Sequence, residues 1–215
     1  MSETKPPQAH IGATTLSGQG AAENTAGRCI NGIGDPSPLG LFAYGITLGV
    51  LSFIHLGTIA STATPFVVAI SLPVGGLGML IAGLWAFRRG STFGGTALTG
   101  YGAFWINYYL LFGIYGAKVP KSEFGHIAAI WLALWGLFTL MLFLASFAID
   151  LAHPFFLSWL VITFALLAIG QWTGNSGMIK AAGVTGLVSV AGALYVAFAQ
   201  LFEAQYQRKV LPFVG

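Results

Sequence analysis

Long apolar runs alternate with short polar segments over most of this sequence. After a polar stretch rich in Ser, Thr, Gly, Ala and Pro, six runs meet or approach the roughly 20 apolar residues that a bilayer-spanning helix needs. They cover residues 39–59, 65–87, 95–115, 125–149, 155–172 and 178–202. Because the connections are short, the pattern predicts an all-α membrane protein with six transmembrane helices in one bundle. We expect a flexible tail over residues 1–34, the membrane domain over 35–207 and a short tail over 208–215.

Basic residues near the ends of these runs predict the orientation of the chain. If the first helix starts in the cytoplasm, six of the nine Lys and Arg residues lie on that side and three on the other. Because short cytoplasmic loops carry an excess of Lys and Arg, we expect both termini in the cytoplasm. The cytoplasmic group is Lys5, Arg28, Arg88, Arg89, Arg208 and Lys209, and the opposite group is Lys118, Lys121 and Lys180.

The composition agrees with a membrane protein and disfavours several other classes. Charged residues make up 7% of the 215 and hydrophobic residues 56%, far from the roughly 25% charge of soluble domains. The net charge of +3 is dispersed at helix ends, so nucleic acid is not an expected partner. The single Cys29 forms no disulfide within the chain, and no HExxH or paired CxxC motif occurs. We therefore expect a multi-pass protein of a cell membrane without metal or cofactor.

No acidic residue lies well inside a predicted span, and this limits the mechanisms available. Proton relays and ion-coupled sites normally place an ionisable side chain at that depth. The residues that we predict as possible lining of a path are uncharged: Thr47, Thr99, Asn107, Thr163 and Ala193. Polar groups of this kind can equally hold helices together, and for any single one of them that interpretation is favoured.

The segment 34–41, GDPSPLGL, opens the first span. Prolines suit the first turn of a helix, where the N–H groups have no intrahelical partners, and such an end attracts anions. We predict that Asp35, Pro36, Pro38, Leu39 and Gly40 form the entrance of a path for an anion. The plain alternative is that the prolines simply start a membrane helix. A carboxylate that crosses without a buried cation needs helix dipoles and neutral donors, or a proton carried with it.

Two segments resemble the acetate uptake transporter family, which includes bacterial succinate-acetate permeases and yeast ammonia/acetate exporters. Residues 34–41 are similar to its N-P-A-P-L-G-L signature, and residues 88–109 to its G-N-T-F-G-x-T-A-F-x-S-Y-G-x-F-W segment. Shorter agreements occur at 135–143, 164–170 and 181–187, and at Tyr195, Glu203, Leu211 and Pro212. The resemblance implies a homohexamer of six-helix subunits, each with its own pore for acetate and similar monocarboxylates, with succinate in some members.

The resemblance also implies a narrow hydrophobic constriction at Tyr44, Tyr101 and Leu160. Two departures from the family pattern bear on it. Asp35 replaces the usual Asn and places a negative charge where the anion should enter, and Tyr44 adds a hydroxyl where Phe is common. The sequence leaves open whether transport is coupled to protons or passes through an anion channel.

Two other functions stay open at this stage. A channel for a neutral solute such as ammonia or urea would suit the same uncharged path. A membrane enzyme would need an acid/base pair, and Asp150 with His153 is the one pair worth naming. We favour a solvated turn for that pair and expect no enzyme activity.

Overall fold

The computed structural model describes residues 32–214. Almost all of the predicted tail, with Lys5, Arg28 and Cys29, lies outside the described residues, so its boundary stays a prediction. Residues 35–214 belong to one compact unit. Its six helices are α1 (Ser37–Leu56), α2 (Ser61–Arg88), α3 (Thr92–Leu110), α4 (Lys121–Ser146), α5 (Ala152–Thr173) and α6 (Ser176–Tyr206).

The helix ends follow from local sequence. α1 and α5 end at Gly57 and Gly174, whose positive φ angles of 86° and 66° suit glycine because it has no Cβ. Side chains cap two starts: Ser91 accepts a hydrogen bond from the N–H of Gly94 at α3, and Asn175 accepts one from that of Gly177 at α6. The two side-chain caps fix where α3 and α6 begin.

Two helices contain π-helical turns. In α2 the π segment is Ser71–Gly78, which includes Pro73, and Leu111–Tyr115 continues α3 in the same form. Proline cannot donate the usual backbone hydrogen bond, and a wider turn accommodates the missing bond without ending the helix. α2 therefore continues to Arg88 as one span.

Five of the described helices are long and apolar enough to cross a membrane: α1, α2, α4, α5 and α6. α3 is not among the five. It carries several threonines, tyrosines and Asn107, and polar positions of this kind weaken an apolar signal. The chain thus has the predicted six helices, with α3 as the least apolar of them by this criterion.

The helices form a ring around the interior. α1 packs extensively against α6, α6 against α5, α5 against α4, and α2 against α3, while α1 also contacts α2. α3 and α4 approach less closely, and aromatic side chains bridge them. The rings of Phe104 and Trp131 stack at 4.8 Å between centroids, and those of Tyr101 and Phe138 meet edge to face at 5.6 Å. These contacts close the ring on the α3–α4 side.

Candidate functional site

Two cavities lie inside the ring of helices, one toward each end. The first, about 240 Å³, is lined by Gln171 and by residues of the second half of α1, so we call it the Gln171 cavity. The second, about 270 Å³, is lined by Gln200 and by residues near the start of α1, and we call it the Gln200 cavity. Within residues 32–214, Tyr44 and Tyr101 alone line both cavities. The two tyrosines therefore stand where the cavities meet.

A hydrogen-bond chain fixes the ring of Tyr44. Its hydroxyl lies 2.7 Å from Ser189 Oγ on α6, and Ser189 in turn donates to the carbonyl oxygen of Phe156 at 2.8 Å. Because a serine hydroxyl has one proton, Tyr44 is the donor to Ser189. The hydroxyl that distinguishes Tyr44 from the common Phe is thus engaged by the neighbouring helix, and the apolar ring forms the wall.

Tyr101 is held in the same way from the opposite side. Its hydroxyl donates to Thr139 Oγ1 at 3.0 Å, and Thr139 donates to the carbonyl oxygen of Trp135 at 2.8 Å. The rings of Tyr44 and Tyr101 lie 6.2 Å apart between centroids and are tilted by 49°. With both phenolic protons used and both side chains buried, the junction is narrow and largely apolar.

Leu160 lines the Gln171 cavity together with Tyr44 and Tyr101. It is 2% exposed, so the bundle interior holds its side chain. The structure brings the three predicted constriction residues onto one cavity wall. Their role in transport stays a prediction.

The predicted entrance residues have different positions. Pro38 and Gly40 are buried, Gly40 against Leu98, while Leu39 is 54% exposed on the outside of the described unit. Pro36, Pro38, Leu39 and Gly40 do not line the two cavities, whereas Ser37 does.

Asp35 pairs with a residue that the sequence did not connect to it. Its Oδ2 lies 2.6 Å from Arg89 Nη1, and its Oδ1 accepts the N–H of Ser37 at 2.9 Å. Burial alone would raise the pKa of Asp35, but the Ser37 N–H and the Arg89 guanidinium outweigh it and hold the pKa below the ordinary value. The charge that we expected to repel an anion is thus compensated. Asp35 and Arg89 both belong to the end of the helices that the sequence predicts as cytoplasmic. This shared end was the sequence feature that could have predicted their pairing.

We expect Asp35→Asn to destabilise the protein at neutral pH and not at low pH. A carboxylate whose pKa is lower in the folded protein than in the unfolded one stabilises the fold above its unfolded pKa of about 3.9. This stabilisation is lost as the pH falls through the pKa of the folded state. Asp35→Asn should lower the melting temperature by about 2–4 °C at pH 7, with the difference closing below about pH 4. Thermal melts in detergent between pH 3 and 8 measure this difference in melting temperature between Asp35→Asn and the wild type, with Glu123→Gln at the start of α4 as control. A pH-independent difference would contradict the ion pair as its cause.

The predicted lining residues separate into two groups. Thr163 lines the Gln171 cavity and hydrogen-bonds to Thr185 Oγ1 at 2.8 Å. The other four do not line either cavity. Thr47 and Thr99 donate hydrogen bonds to carbonyl oxygens one turn back in their own helices. Ala193 is buried, and Asn107 is exposed. Thr47 and Thr99 also lie against Gly75 and Gly83 of α2, so their positions suit helix packing better than a path.

Asp150 and His153 form a buried pair, and the solvated turn that we favoured for them is wrong. His153 Nδ1 lies 2.9 Å from each carboxylate oxygen of Asp150, and His153 is 8% exposed. Asp150 Oδ1 also accepts the backbone N–H groups of Ala152 and His153. The carboxylate thereby holds the first turn of α5, which folds the histidine inward onto the wall of the Gln200 cavity.

Comparison with known proteins identifies the kind of molecule that has this architecture. The model of the GPR1/FUN34/yaaH family matches residues 21–213, which is most of the chain. The chain belongs to the GPR1/FUN34/yaaH family. The resemblance that the two sequence motifs indicated is thereby confirmed.

Two curated relatives and one solved structure illustrate the likeness. The chain is 33% identical over 180 residues to the succinate-acetate/proton symporter SatP of Escherichia coli (strain K12), covering 84% of this chain and 95% of that protein. It is 35% identical over 176 residues to the ammonia transport outward protein 2 of Saccharomyces cerevisiae (strain ATCC 204508 / S288c), covering 80% of this chain and 62% of that protein. The structure of the bacterial acetate channel SatP matches with a TM-score of 0.79 at 33% identity, covering 84% of this chain and 99% of that one.

These likenesses confirm the predicted all-α membrane fold and the multi-pass membrane location. Within this member of the GPR1/FUN34/yaaH family, sequence reasoning missed the residues that hold the junction in place. Ser189 and Thr139 anchor the two tyrosines, and both are fully buried. Buried hydroxyls in otherwise apolar helices are a usable signal, because each must find a hydrogen-bond partner.

Proposed function

We propose that this protein transports acetate and related short carboxylates, including succinate, through a path within each protomer. The observation that carries the proposal is the pair of cavities that meet at Tyr44 and Tyr101 in the interior of a bundle of this family. Relatives named as a succinate-acetate/proton symporter and as an acetate channel support the substrate class. The same relatives support a transport role rather than a catalytic one.

The proposed path runs from one cavity through the tyrosine junction to the other. Its walls are mainly aliphatic and aromatic, with hydroxyl and amide groups at intervals. A constriction built from bulky apolar side chains resists water and admits small solutes one at a time. A two-carbon acid carries little apolar surface past such a junction. It crosses either as the neutral acid, with its proton bound, or as the anion.

We further propose that the termini are cytoplasmic and that the protein assembles as a homohexamer. Arg88, Arg89, Arg208 and Lys209 belong to one end of the antiparallel helices, and Lys118, Lys121 and Lys180 to the other, which supports this orientation. The hexamer rests on the family resemblance, and the mass of the detergent-solubilised protein tests it.

Uptake of labelled acetate into proteoliposomes tests the proposed substrate. We expect protein-dependent uptake that exceeds that of protein-free liposomes and responds to an inward proton gradient. Stimulation by the gradient favours symport, and uptake that follows the acetate gradient alone favours a channel. Folded protein that passes no short carboxylate under any gradient would overturn the proposal.

A channel for a neutral solute is the second candidate. Its support is the relative named as an ammonia transport outward protein and a junction without a charged side chain. Ammonia or urea flux that acetate does not inhibit would favour it over carboxylate transport.

A further inference from the structure

We propose that His153, positioned by Asp150, binds the carboxylate group of the substrate in the Gln200 cavity when the imidazole is protonated. This inference rests on the proposed carboxylate transport and gives it a binding site and a pH dependence. It concerns a pair that neither the predicted constriction nor the predicted entrance includes.

Asp150 fixes the orientation of the imidazole. An ionised carboxylate only accepts hydrogen bonds, so Nδ1 of His153 carries the proton that it shares with Asp150 at 2.9 Å. This leaves Nε2 as the ring nitrogen that gains or loses a proton. The ring is held between Phe93 and Phe156, with centroid distances of 6.2 and 5.7 Å. The imidazole therefore presents Nε2 from a fixed position.

The charge on the wall of the Gln200 cavity depends on His153. His153 lines the Gln200 cavity, and apart from Tyr44 and Tyr101 it is the one titratable side chain on that wall within residues 32–214. An anion in this cavity thus has a single candidate cation among the lining side chains. A hydrogen bond between ionised partners is roughly twice as strong as a neutral one, and more so away from water.

The side chain of Gln200 places a polar atom on the same wall. Gln200 Oε1 is buried without a hydrogen-bond partner among the described residues, and Gln200 lines the same cavity. Buried polar atoms are normally paired, so an unpaired one calls for an explanation. The O–H of a protonated carboxylic acid would supply the donor. The cavity thereby holds a partner for each form of the substrate: imidazolium for the anion and the amide oxygen for the acid.

Other charged groups near this end do not replace His153. Asp35 and Arg89 neutralise each other, and neither lines the cavity. Lys209 lies with Asp150 around a separate surface cavity formed by the C-terminal segment. Tyr44 and Tyr101 have their protons committed to Ser189 and Thr139. Among the described side chains that line the cavity, the imidazole is therefore the one that can carry a positive charge.

The test measures acetate uptake by proteoliposomes as a function of pH, with the flux of protein-free liposomes subtracted. His153→Gln replaces the imidazole with an amide of similar size that cannot become a cation. We expect it to lower uptake at pH 6 by about tenfold and to flatten the pH profile. His126→Gln is the matched control, because His126 is exposed on α4 and lines neither cavity. Asp150→Asn should shift the profile without abolishing uptake, as a positioning residue would.

A second measurement needs no variant that might fold poorly. Acetate added to the purified wild-type protein should shift the imidazole NMR resonance of His153, which comparison with the spectrum of His153→Gln assigns. We expect the shift at a pH low enough for the imidazole to be protonated, and no shift at a pH where the imidazole is neutral. Transport without this shift, or a His153→Gln profile like the wild type, would overturn the site. The shift without transport would retain the site and reject the proposed function. Absence of both would reject both.

Discussion

Tyr101→Ala is expected to raise acetate uptake by on the order of tenfold, which corresponds to about 1.4 kcal/mol off the barrier. Tyr101 is one of the two side chains that separate the cavities, and it lines the Gln171 cavity together with Leu160. Removing the ring joins the cavities into a wider, wetter passage, so the largest barrier to a small acid falls. The same change should admit longer acids that the wild-type protein excludes.

The measurement compares labelled acetate, butyrate and succinate uptake in proteoliposomes containing equal amounts of folded protein. Tyr108→Ala is the matched control, because Tyr108 lies two turns further along α3, is similarly buried, and lines the Gln171 cavity alone. Either substitution removes a buried aromatic ring at a cost of about 3–5 kcal/mol in stability. Equal effects of the two on acid selection would contradict the constriction at Tyr101.

The sequence contained most of the information about the fold, because each span shows as an apolar run in the chain itself. The predicted run 125–149 and the helix Lys121–Ser146 differ mainly at their ends. The π segments were not predicted, although Pro73 gave a local reason for one. Which face of each helix points inward depends on packing against distant residues. Periodicity therefore could not separate Thr163 on a cavity wall from Asn107 on the outside.

The candidate site was predictable only in part for the same physical reason. Tyr44, Tyr101 and Leu160 were chosen from the family resemblance, and without it ordinary packing is the favoured explanation for Tyr44 and Leu160. The contacts of Tyr44 with Ser189 and of Asp35 with Arg89 join residues 145 and 54 positions apart. Such pairings depend on how helices dock. Asp150 and His153 were visible as a local pair, but their burial was not, because a turn sequence carries no sign of a cavity behind it.

Gly183→Ala is expected to destabilise the bundle by about 1–3 kcal/mol through overpacking. A Cβ at Gly183 would lie 2.5 Å from the backbone nitrogen of Leu56 and 2.8 Å from the carbonyl oxygen of Ser52. Both neighbours are backbone atoms of α1, so no side-chain rotation relieves the contact. The two helices must move apart along the interface that carries Tyr44 and Ser189.

Gly49→Ala at the same α1–α6 interface is the matched control. A Cβ there would meet only Val190 Cγ1 at 3.7 Å, an ordinary contact, and alanine favours a helix by about 0.8–1.0 kcal/mol over glycine. We therefore expect Gly49→Ala to be neutral or stabilising in thermal melts in detergent, and Gly183→Ala to melt at a lower temperature. Equal melting temperatures would mean that α1 and α6 are less closely packed than this geometry requires. Reduced acetate uptake by Gly183→Ala with normal uptake by Gly49→Ala would link the α1–α6 distance to the tyrosine junction, because Tyr44 is anchored across that interface.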